Sequence, residues 1–262
     1  KKYNLTYTFD LLFALPEQTI DDLNLDLDLV EQFDPNHLSA YCLTVPSGHP
    51  MSKGRAPESE QIELGASDAL MLVGDLYMPE SLTEDAPAVI LMHMLGGQRA
   101  DYEPLIPYLL DAGYIVLNVD LRGHGATGGS QDWDLAIDDV QVWFDWLREQ
   151  EGVDADRTAV IGASIGSNVA LIACGNDEAC VTAIALSPGE DYRGVMPADA
   201  IANGLNAFLI ASHDDQQSAD SVRTFFASAT GYVDARLYTG RQHGTQLFST
   251  DLESVASASV AW

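Results

Sequence analysis

The sequence predicts an α/β fold for most of the chain, with a doubly wound, mostly parallel sheet of about eight strands and helices on both faces. Two observations carry this prediction. From about residue 60 onward, short apolar runs alternate with amphipathic segments of helical length, which is the pattern of consecutive β-α-β units. In addition, 47% of the 262 residues are hydrophobic, so the chain can bury the core that such a sheet requires.

The expected strands are short apolar runs, and the expected helices carry apolar residues at helical spacing. The second helix, for example, presents Leu135, Val140, Trp143 and Leu147 on one face. Strands are predicted at 61–64, 69–77, 88–93, 114–119, 158–161, 182–186, 207–211 and 235–238. Helices are predicted at 102–112, 134–150, 167–173, 218–229 and 251–261, with a short one at 197–203.

The first 58 residues differ in character from the rest, and a polar stretch with glycine and proline separates the two regions. One β-α-β unit is expected there, with strands at 5–15 and 37–45 and a helix at 19–33. Such a unit cannot bury a sufficient core alone, so we expect it to pack on something else or to belong to a larger domain. The predicted domains are a short N-terminal β-α-β-like segment, 1–58, and a larger α/β domain, 59–262.

Acidic residues dominate the charge balance. The 40 acidic and 12 basic residues give a formal net charge of -28, which repels nucleic acid and anionic membrane surfaces. Lys1, Lys2 and Lys53 are the only lysines of the sequence, so residues 61–262 contain none. Two interpretations stay open: a surface adapted to high salt, and an ordinary acidic surface that keeps a protein dispersed. Nucleic acid is not an expected partner under either one.

Cysteine usage and hydropathy limit the remaining classes. Three cysteines do not make a disulfide scaffold, and nothing near them has metal-ligand spacing, so no metal and no cofactor are expected. Cys174 and Cys180 flank a turn-rich stretch, where two free thiols are favoured over a disulfide. No apolar run reaches the roughly 18 residues of a membrane-spanning helix. Because the chain begins with Lys1, removal of an export signal stays open, and a soluble cytoplasmic protein is slightly favoured.

The motif Gly-x-Ser-x-Gly occurs at 162–166, and its context matters more than its letters. An apolar strand pattern leads into the motif and a helical pattern follows it. A strand–turn–helix of this kind holds its serine in a strained conformation with the hydroxyl exposed, and glycines let the strand and the helix approach closely. Ser164 is therefore the candidate nucleophile, and Gly162 and Gly166 are the glycines that the turn requires. A turn without catalysis is the alternative.

A serine hydroxyl is a poor nucleophile, so it needs a base and a carboxylate that orients the base, in the chain order serine, acid, histidine. His243 lies in a glycine-containing loop after the last predicted strand and is the candidate base. The acid is expected after the strand at 207–211, at the carboxyl edge of the sheet. Asp215 is favoured and Asp214 is the alternative. The non-catalytic interpretation of Asp215 is a solvated loop acid or a helix cap.

Backbone N–H donors are needed to stabilise the negative charge that develops on the substrate oxygen. One donor is expected from Ile165, directly after the candidate nucleophile. The other is expected from the glycine-containing loop after the third predicted strand, where Leu95 is favoured and Met94 is the alternative. His93 is expected to order this loop and not to bind a ligand. The tight polar turn at 120–125 is expected to be structural.

Seven segments carry a family resemblance, at 74–79, 93–97, 120–125, 162–166, 187–189, 212–215 and 243–245. Together they resemble the serine carboxylesterases of the dienelactone-hydrolase-like branch of the α/β-hydrolase superfamily. The resemblance covers about residues 60–262 and implies an α/β-hydrolase fold and an esterase activity. Dienelactone hydrolases proper use a cysteine where this chain has Ser164, which argues against dienelactone as the substrate. His-Gly is also commoner in that family than His93-Met94.

The segment between 187–189 and the strand at 207–211 has fewer than twenty residues, which is too short for a large lid domain. An open cleft favours short-chain, water-soluble esters over long triglycerides. A small-molecule ester is therefore the expected partner, and a homo-oligomer stays open. The alternatives are a thioesterase or a peptidase with the same three residues, and a non-catalytic interaction protein that kept the fold.

Residues 9–19 and 34–45 resemble an internal piece of the radical-SAM coproporphyrinogen-oxidase-like family. Iron–sulfur ligation in that family needs three closely spaced cysteines, which this sequence lacks, and Glu17 stands where the family usually has glycine. No radical chemistry is therefore expected. We interpret the segment as a gene-fusion remnant or as a packing and assembly element.

Overall fold

The computed structural model describes residues 8–13, 37–42, 57–82 and 84–262. The chain divides into two compact units, Lys1–Pro57 and Glu58–Trp262. In the first unit, β1 (Thr8–Phe13) pairs in parallel with β2 (His37–Cys42). The helix expected at 19–33 lies outside the described residues.

Eight strands are described in the second unit: β3 (Ser59–Gly65), β4 (Met71–Tyr77), β5 (Ala86–Met92), β6 (Ile115–Asp120), β7 (Val153–Ala163), β8 (Cys180–Leu186), β9 (Ala207–Ser212) and β10 (Val233–Tyr238). They form one sheet in the order β10-β9-β8-β7-β5-β6-β4-β3. Pairing is parallel except that β4 runs antiparallel to both β3 and β6. The prediction of a mostly parallel, eight-stranded sheet is confirmed.

The described α-helices are α1 (Ile106–Asp111), α2 (Trp133–Arg148), α3 (Ile165–Asn176), α4 (Ala198–Ala202), α5 (Gln216–Ser228) and α6 (Leu252–Ala261). Short 3-10 helices span Arg99–Tyr102 and Gly244–Ser249. The helix expected at 102–112 begins later, because Pro107 lacks the N–H of an internal helical position and is accommodated in the first turn of α1. Among the described helices, none is long and apolar enough to cross a membrane.

Apolar side chains fill one layer on each face of the sheet. Ile90 of β5 packs in the layer that contains buried residues of α2, α3, α4 and α5. Its neighbour Leu91 packs in the other layer, with buried residues of α1 and α6. The alternation follows from the strand, in which successive side chains point to opposite faces. The predicted placement of helices on both faces is therefore confirmed.

The connection between β8 and β9 is short and fully described. It spans residues 187–206 and contains only the five-residue helix α4, close to the short helix expected at 197–203. This part of the chain therefore supplies no large lid, as the sequence predicts.

Cys174, near the end of α3, forms a disulfide with Cys180, the first residue of β8. The interpretation of these residues as free thiols is therefore wrong. The turn between them is closed by Asp177, whose Oδ1 accepts hydrogen bonds from the N–H groups of Ala179 and Cys180 at 2.9 Å. These bonds bring the two Cα atoms to 5.2 Å, within the range that a disulfide spans.

Candidate active site

Ser164 occupies the turn between the end of β7 and the start of α3. Its backbone has φ +53° and ψ -123°, a conformation that residues other than glycine rarely adopt. The turn is held from both sides. The N–H of Ser164 donates to the carbonyl oxygen of Leu186 at 2.8 Å, and its own carbonyl oxygen accepts from the N–H of Ser167 at 2.9 Å. The serine side chain is thereby presented at the carboxyl edge of the sheet.

Gly162 and Gly166 lie where a side chain would collide with backbone atoms. A Cβ atom on Gly162 would lie 2.2 Å from the carbonyl oxygen of Gly166, and one on Gly166 would lie 2.3 Å from the carbonyl oxygen of His93. Both distances are far below van der Waals contact. The strand, the helix and the loop after β5 therefore approach one another through these two glycines.

Ser164, His243 and Asp215 form a continuous hydrogen-bonded chain. The Oγ atom of Ser164 lies 2.7 Å from Nε2 of His243, and Nδ1 of His243 lies 2.7 Å from Oδ2 of Asp215. Because the carboxylate accepts the Nδ1 proton, Nε2 presents a lone pair to the serine hydroxyl, as a general base must. The structure thus brings together the three residues that the sequence places on separate loops.

Asp215, and not its neighbour Asp214, reaches His243. The side chain of Asp214 is 61% exposed and contacts His213 at 2.9 Å. The side chain of Asp215 is 15% exposed and is directed at His243. Asp215 precedes α5 but makes no side-chain cap hydrogen bond, so its carboxylate does not serve the helix end.

Side chains at the ends of two strands fix the loop that carries His243. Ser187, after β8, accepts a hydrogen bond at Oγ from the N–H of Gly244 at 2.9 Å. Ser212, at the end of β9, donates its hydroxyl to the carbonyl oxygen of Gln242 at 2.7 Å. The imidazole is therefore positioned from the sheet edge. Sequence reasoning did not assign a role to either serine, although the resemblance includes the segments that contain both.

His93 orders the loop after β5. It is completely buried, its Nδ1–H donates to the carbonyl oxygen of Met94 at 2.8 Å, and its Nε2 accepts from the N–H of Leu121 at 3.0 Å. Accepting at Nε2 requires a neutral ring. Desolvation by burial lowers the pKa of His93 and favours that neutral form.

The expected oxyanion donors lie at the two segments that Gly166 brings together. Ile165 is the first residue of α3, and among the described residues its N–H has no acceptor, as is usual for the first turn of a helix. The N–H groups of Met94 and Leu95 likewise have no acceptor within the described part of the chain. Both loop residues therefore retain a free donor, and the choice between them stays a prediction.

One buried and one partly buried ion pair hold the loops on the β6 side of the same edge. Both carboxylate oxygens of Asp139 accept hydrogen bonds from Arg122 at 2.6 Å. Arg99 forms an ion pair with Asp120, the last residue of β6. Asp120 and Arg122, the charged residues of the turn at 120–125, are thus both engaged in ion pairs that hold the loops together. Among the described residues, no group of three or more His, Cys, Asp or Glu side chains is arranged to hold a metal ion.

A family comparison identifies the kind of protein. Residues 83–243 match the family described as serine aminopeptidase, S33. This match covers more than half of the chain. The chain belongs to the S33 serine aminopeptidase family. The matched segment ends at His243, so the whole hydrogen-bonded chain of serine, histidine and aspartate lies inside the S33 region.

Curated relatives align with only part of this S33 chain. The uncharacterized protein YfhR of Salmonella typhimurium is 28% identical over 126 residues, which are 47% of this chain and 43% of that protein. The chain spans about half the length of the curated relatives it matches. A minor match is to the heme chaperone HemW of Buchnera aphidicola, which is 36% identical over 50 residues. These residues are 19% of this chain and 13% of that protein.

Solved structures agree on the fold of this S33 protein. The esterase Pf2001 of Pyrococcus furiosus superposes with a TM-score of 0.67 at 21% identity, over 78% of this chain and 89% of that one. A dienelactone hydrolase from Anabaena variabilis superposes with a TM-score of 0.64 at 18% identity, over 79% and 97%. At such identities the likeness concerns the fold alone. The predicted α/β-hydrolase fold is confirmed.

Proposed function

We propose that this protein is a serine carboxylesterase that hydrolyses short-chain, water-soluble esters through an acyl-enzyme intermediate. The observation that carries the proposal is the chain of two 2.7 Å hydrogen bonds from Ser164 through His243 to Asp215. Membership of a serine hydrolase family and a fold shared with an esterase support it.

In the first half of the reaction, His243 takes the proton of Ser164 while Oγ attacks the ester carbonyl carbon. The negative charge that develops on the carbonyl oxygen is stabilised by the N–H of Ile165 and by that of Leu95 or Met94. The bond to the alcohol oxygen then breaks, and His243 returns the proton to the leaving alcohol. Asp215 stays ionised throughout and stabilises the imidazolium.

In the second half, water attacks the acyl group on Ser164 as His243 accepts a proton from that water. The bond between the acyl carbon and Oγ breaks, and His243 gives its proton back to Ser164. The carboxylic acid leaves, and the enzyme returns to its starting state without a cofactor.

A preference for short esters is supported by the connection between β8 and β9. Residues 187–206 carry only α4, and no large element of this connection covers the cleft. Long acyl chains need an extended apolar surface that shields them from water, whereas short acyl chains do not. We therefore expect activity to fall as the acyl chain lengthens.

A peptidase that uses the same three residues is the second candidate, because the family description names a serine aminopeptidase. Both reactions use the same nucleophile and base, and they differ in the leaving group, an alcohol or an amine. Parallel assays on nitrophenyl esters and on aminoacyl nitroanilides separate them. Higher kcat/KM on the nitroanilides would favour the peptidase.

The proposal is tested by labelling the protein with a fluorophosphonate and assaying nitrophenyl esters from acetate to palmitate. Wild type is expected to label and to favour the shorter esters. Ser164→Ala is expected to lose labelling, and activity on the order of 10⁴-fold or more. The matched control is Ser257→Ala, at an exposed position of α6, which is expected to behave as wild type. Full esterase activity in Ser164→Ala, or a maximum at palmitate, would contradict the proposal.

A further inference from the structure

A tyrosine and a serine contact the imidazole of His243 from the side. The Oγ atom of Ser218, in the first turn of α5, lies 3.5 Å from Nδ1 of His243. The hydroxyl of Tyr192 lies 3.1 Å from that Oγ and 3.2 Å from the carbonyl oxygen of Ser187. The ring of Tyr192 also meets the imidazole edge to face, with centroids 6.2 Å apart. Neither residue takes part in the proton transfers of the proposed reaction.

The hydrogen bonds of this group have one consistent direction. The carbonyl oxygen of Ser187 only accepts, so the hydroxyl of Tyr192 donates to it. The oxygen of Tyr192 then accepts the hydroxyl proton of Ser218. This direction leaves the lone pairs of Ser218 Oγ to face Nδ1–H of His243, whose main acceptor is Asp215. Ser218 is therefore a second and weaker acceptor for the same proton.

Buried hydrogen bonds fix the loop that carries Tyr192. Asn168 of α3 is completely buried, and its amide donates to the carbonyl oxygens of Gly189 at 2.8 Å and Val195 at 2.7 Å. Its Oδ1 accepts from the N–H of Gly189 at 3.1 Å. Tyr192 and Val195 exchange two backbone hydrogen bonds, at 3.2 and 3.0 Å. A loop held this firmly places a hydroxyl with the accuracy that a positioning role requires.

Packing and burial further limit the tyrosine. A Cβ atom on Gly189 would lie 2.5 Å from the ring of Tyr192, so the ring lies directly on the glycine. Burial raises the pKa of Tyr192, partly opposed by its hydrogen bond with Ser218, and the phenol therefore stays a neutral donor.

We propose that Tyr192 and Ser218 are positioning residues for His243. Tyr192 restrains the imidazole ring through the edge-to-face contact, and Ser218 adds a second acceptor at Nδ1–H, so that together they favour the protonated imidazole that forms when Ser164 gives up its proton. A hydrogen-bond acceptor near Nδ1–H stabilises the imidazolium more than the neutral ring, because the charged donor makes the stronger bond. This inference rests on the proposed function, since it needs His243 to act as the base.

The test uses Tyr192→Phe, which keeps the ring on Gly189 and removes the hydroxyl, together with Ser218→Ala. Each variant is expected to lower kcat on nitrophenyl acetate by about tenfold with little change in KM, as expected for the loss of one hydrogen bond. The acid limb of the kcat/KM profile is expected to move to lower pH. The double variant is expected to lose no more than the worse single one, because the two act as a unit. Tyr232→Phe, at an exposed tyrosine, is the matched control.

The rate of fluorophosphonate labelling of Ser164 supplies a second readout that needs no ester substrate. Slower labelling of Tyr192→Phe than of wild type would support the inference. An equal labelling rate with an unmoved pH profile would overturn it and leave the proposed function standing, whereas absence of labelling in wild type would overturn both. If the variants raised KM at constant kcat, Tyr192 and Ser218 would contact the substrate and would not position His243. If the variants lowered the melting temperature and left the pH profile unmoved, the role of the two residues would be purely structural.

Discussion

Two polar clusters at the carboxyl edge of the sheet differ in how completely their atoms are paired. On the β6 side, the side chains of Arg122 and Asp139 are 2% and 7% exposed, and both carboxylate oxygens of Asp139 accept from Arg122. On the side of β7, β9 and β10, the side chain of His243 is 32% exposed and that of Asp215 is 15% exposed. In the first cluster the charged atoms pair with one another, whereas in the second the hydrogen-bonded chain ends on the hydroxyl of Ser164.

This difference in pairing distinguishes charges that stabilise the fold from groups that can carry out a reaction. A buried ion pair must use all its hydrogen-bonding atoms, because an unpaired buried charge is costly. A catalytic chain must end on an atom that is still able to react. Breaking the first cluster should therefore cost stability, and breaking the second should cost activity.

The largest expected effect separates two adjacent aspartates. Asp215→Asn is expected to lower kcat on the order of 10⁴-fold, because an amide no longer holds His243 in the reactive tautomer. Asp214→Asn is the matched control and should leave kcat close to wild type, since its side chain contacts His213 and not His243. Steady-state kinetics of both variants measure the contrast. Equal losses would mean that the assignment of the acid is wrong.

The next effect concerns stability. Arg122→Met is expected to lower the free energy of unfolding by about 3–5 kcal/mol, because Asp139 is left as an uncompensated buried charge. Guanidinium chloride denaturation measures it, and kcat per folded molecule should change little. Arg223→Met removes an exposed ion pair with Asp220 and should have no measurable effect. If the variant that replaces both Arg122 and Asp139 by apolar residues is no more stable than Arg122→Met, the explanation by a buried charge fails.

A smaller effect, on the pH dependence of the melting temperature, should come from His93. The pKa of His93 is lowered in the folded protein, so the unfolded chain takes up a proton near 6.5 before the folded chain does. This contribution to stability is present above about pH 6.5 and decreases as the pH falls towards the folded pKa. His93→Gln should reduce this decrease in melting temperature between pH 7.5 and 5, whereas His213→Gln, at an exposed site, should not. Identical slopes for wild type and His93→Gln would refute the linkage.

The smallest expected effect tests the interpretation of the acidic surface as salt-adapted. A net charge of -28 makes surface carboxylates repel one another, and salt screens exposed charges more than buried pairs. We propose that the melting temperature and the hydrolase activity hold or rise in molar potassium chloride. A steep loss of both in salt would favour an ordinary acidic surface.

Much of the fold and the candidate site follows from pattern. The sequence predicts the eight strands because each is an apolar run between polar turns, and the carboxyl-edge rule places Ser164, Asp215 and His243 on neighbouring loops. The choice of Asp215 over Asp214 agrees with the observed contacts. Local context was sufficient here because a strand–turn–helix around Gly-x-Ser-x-Gly has few alternative geometries.

Other features depend on tertiary contacts that no short motif encodes. Tyr192 and Ser218 meet His243 only because Asn168 fixes the loop after β8 and because α5 begins beside it. The sequence indicates a turn between Cys174 and Cys180, but the choice between two free thiols and a disulfide depends on how Asp177 closes that turn. The role of residues 1–58 stays a prediction.

The disulfide has a mechanical consequence for Ser164, the candidate nucleophile. At one end of α3, the N–H of Ser164 is bound to Leu186, the last residue of β8. At the other end, Cys174 is covalently joined to Cys180, the first residue of the same strand. The helix is therefore anchored to a single strand at both ends and cannot slide along it without breaking a covalent bond. The position of the serine hydroxyl is thus maintained in part by a bond at the opposite edge of the sheet.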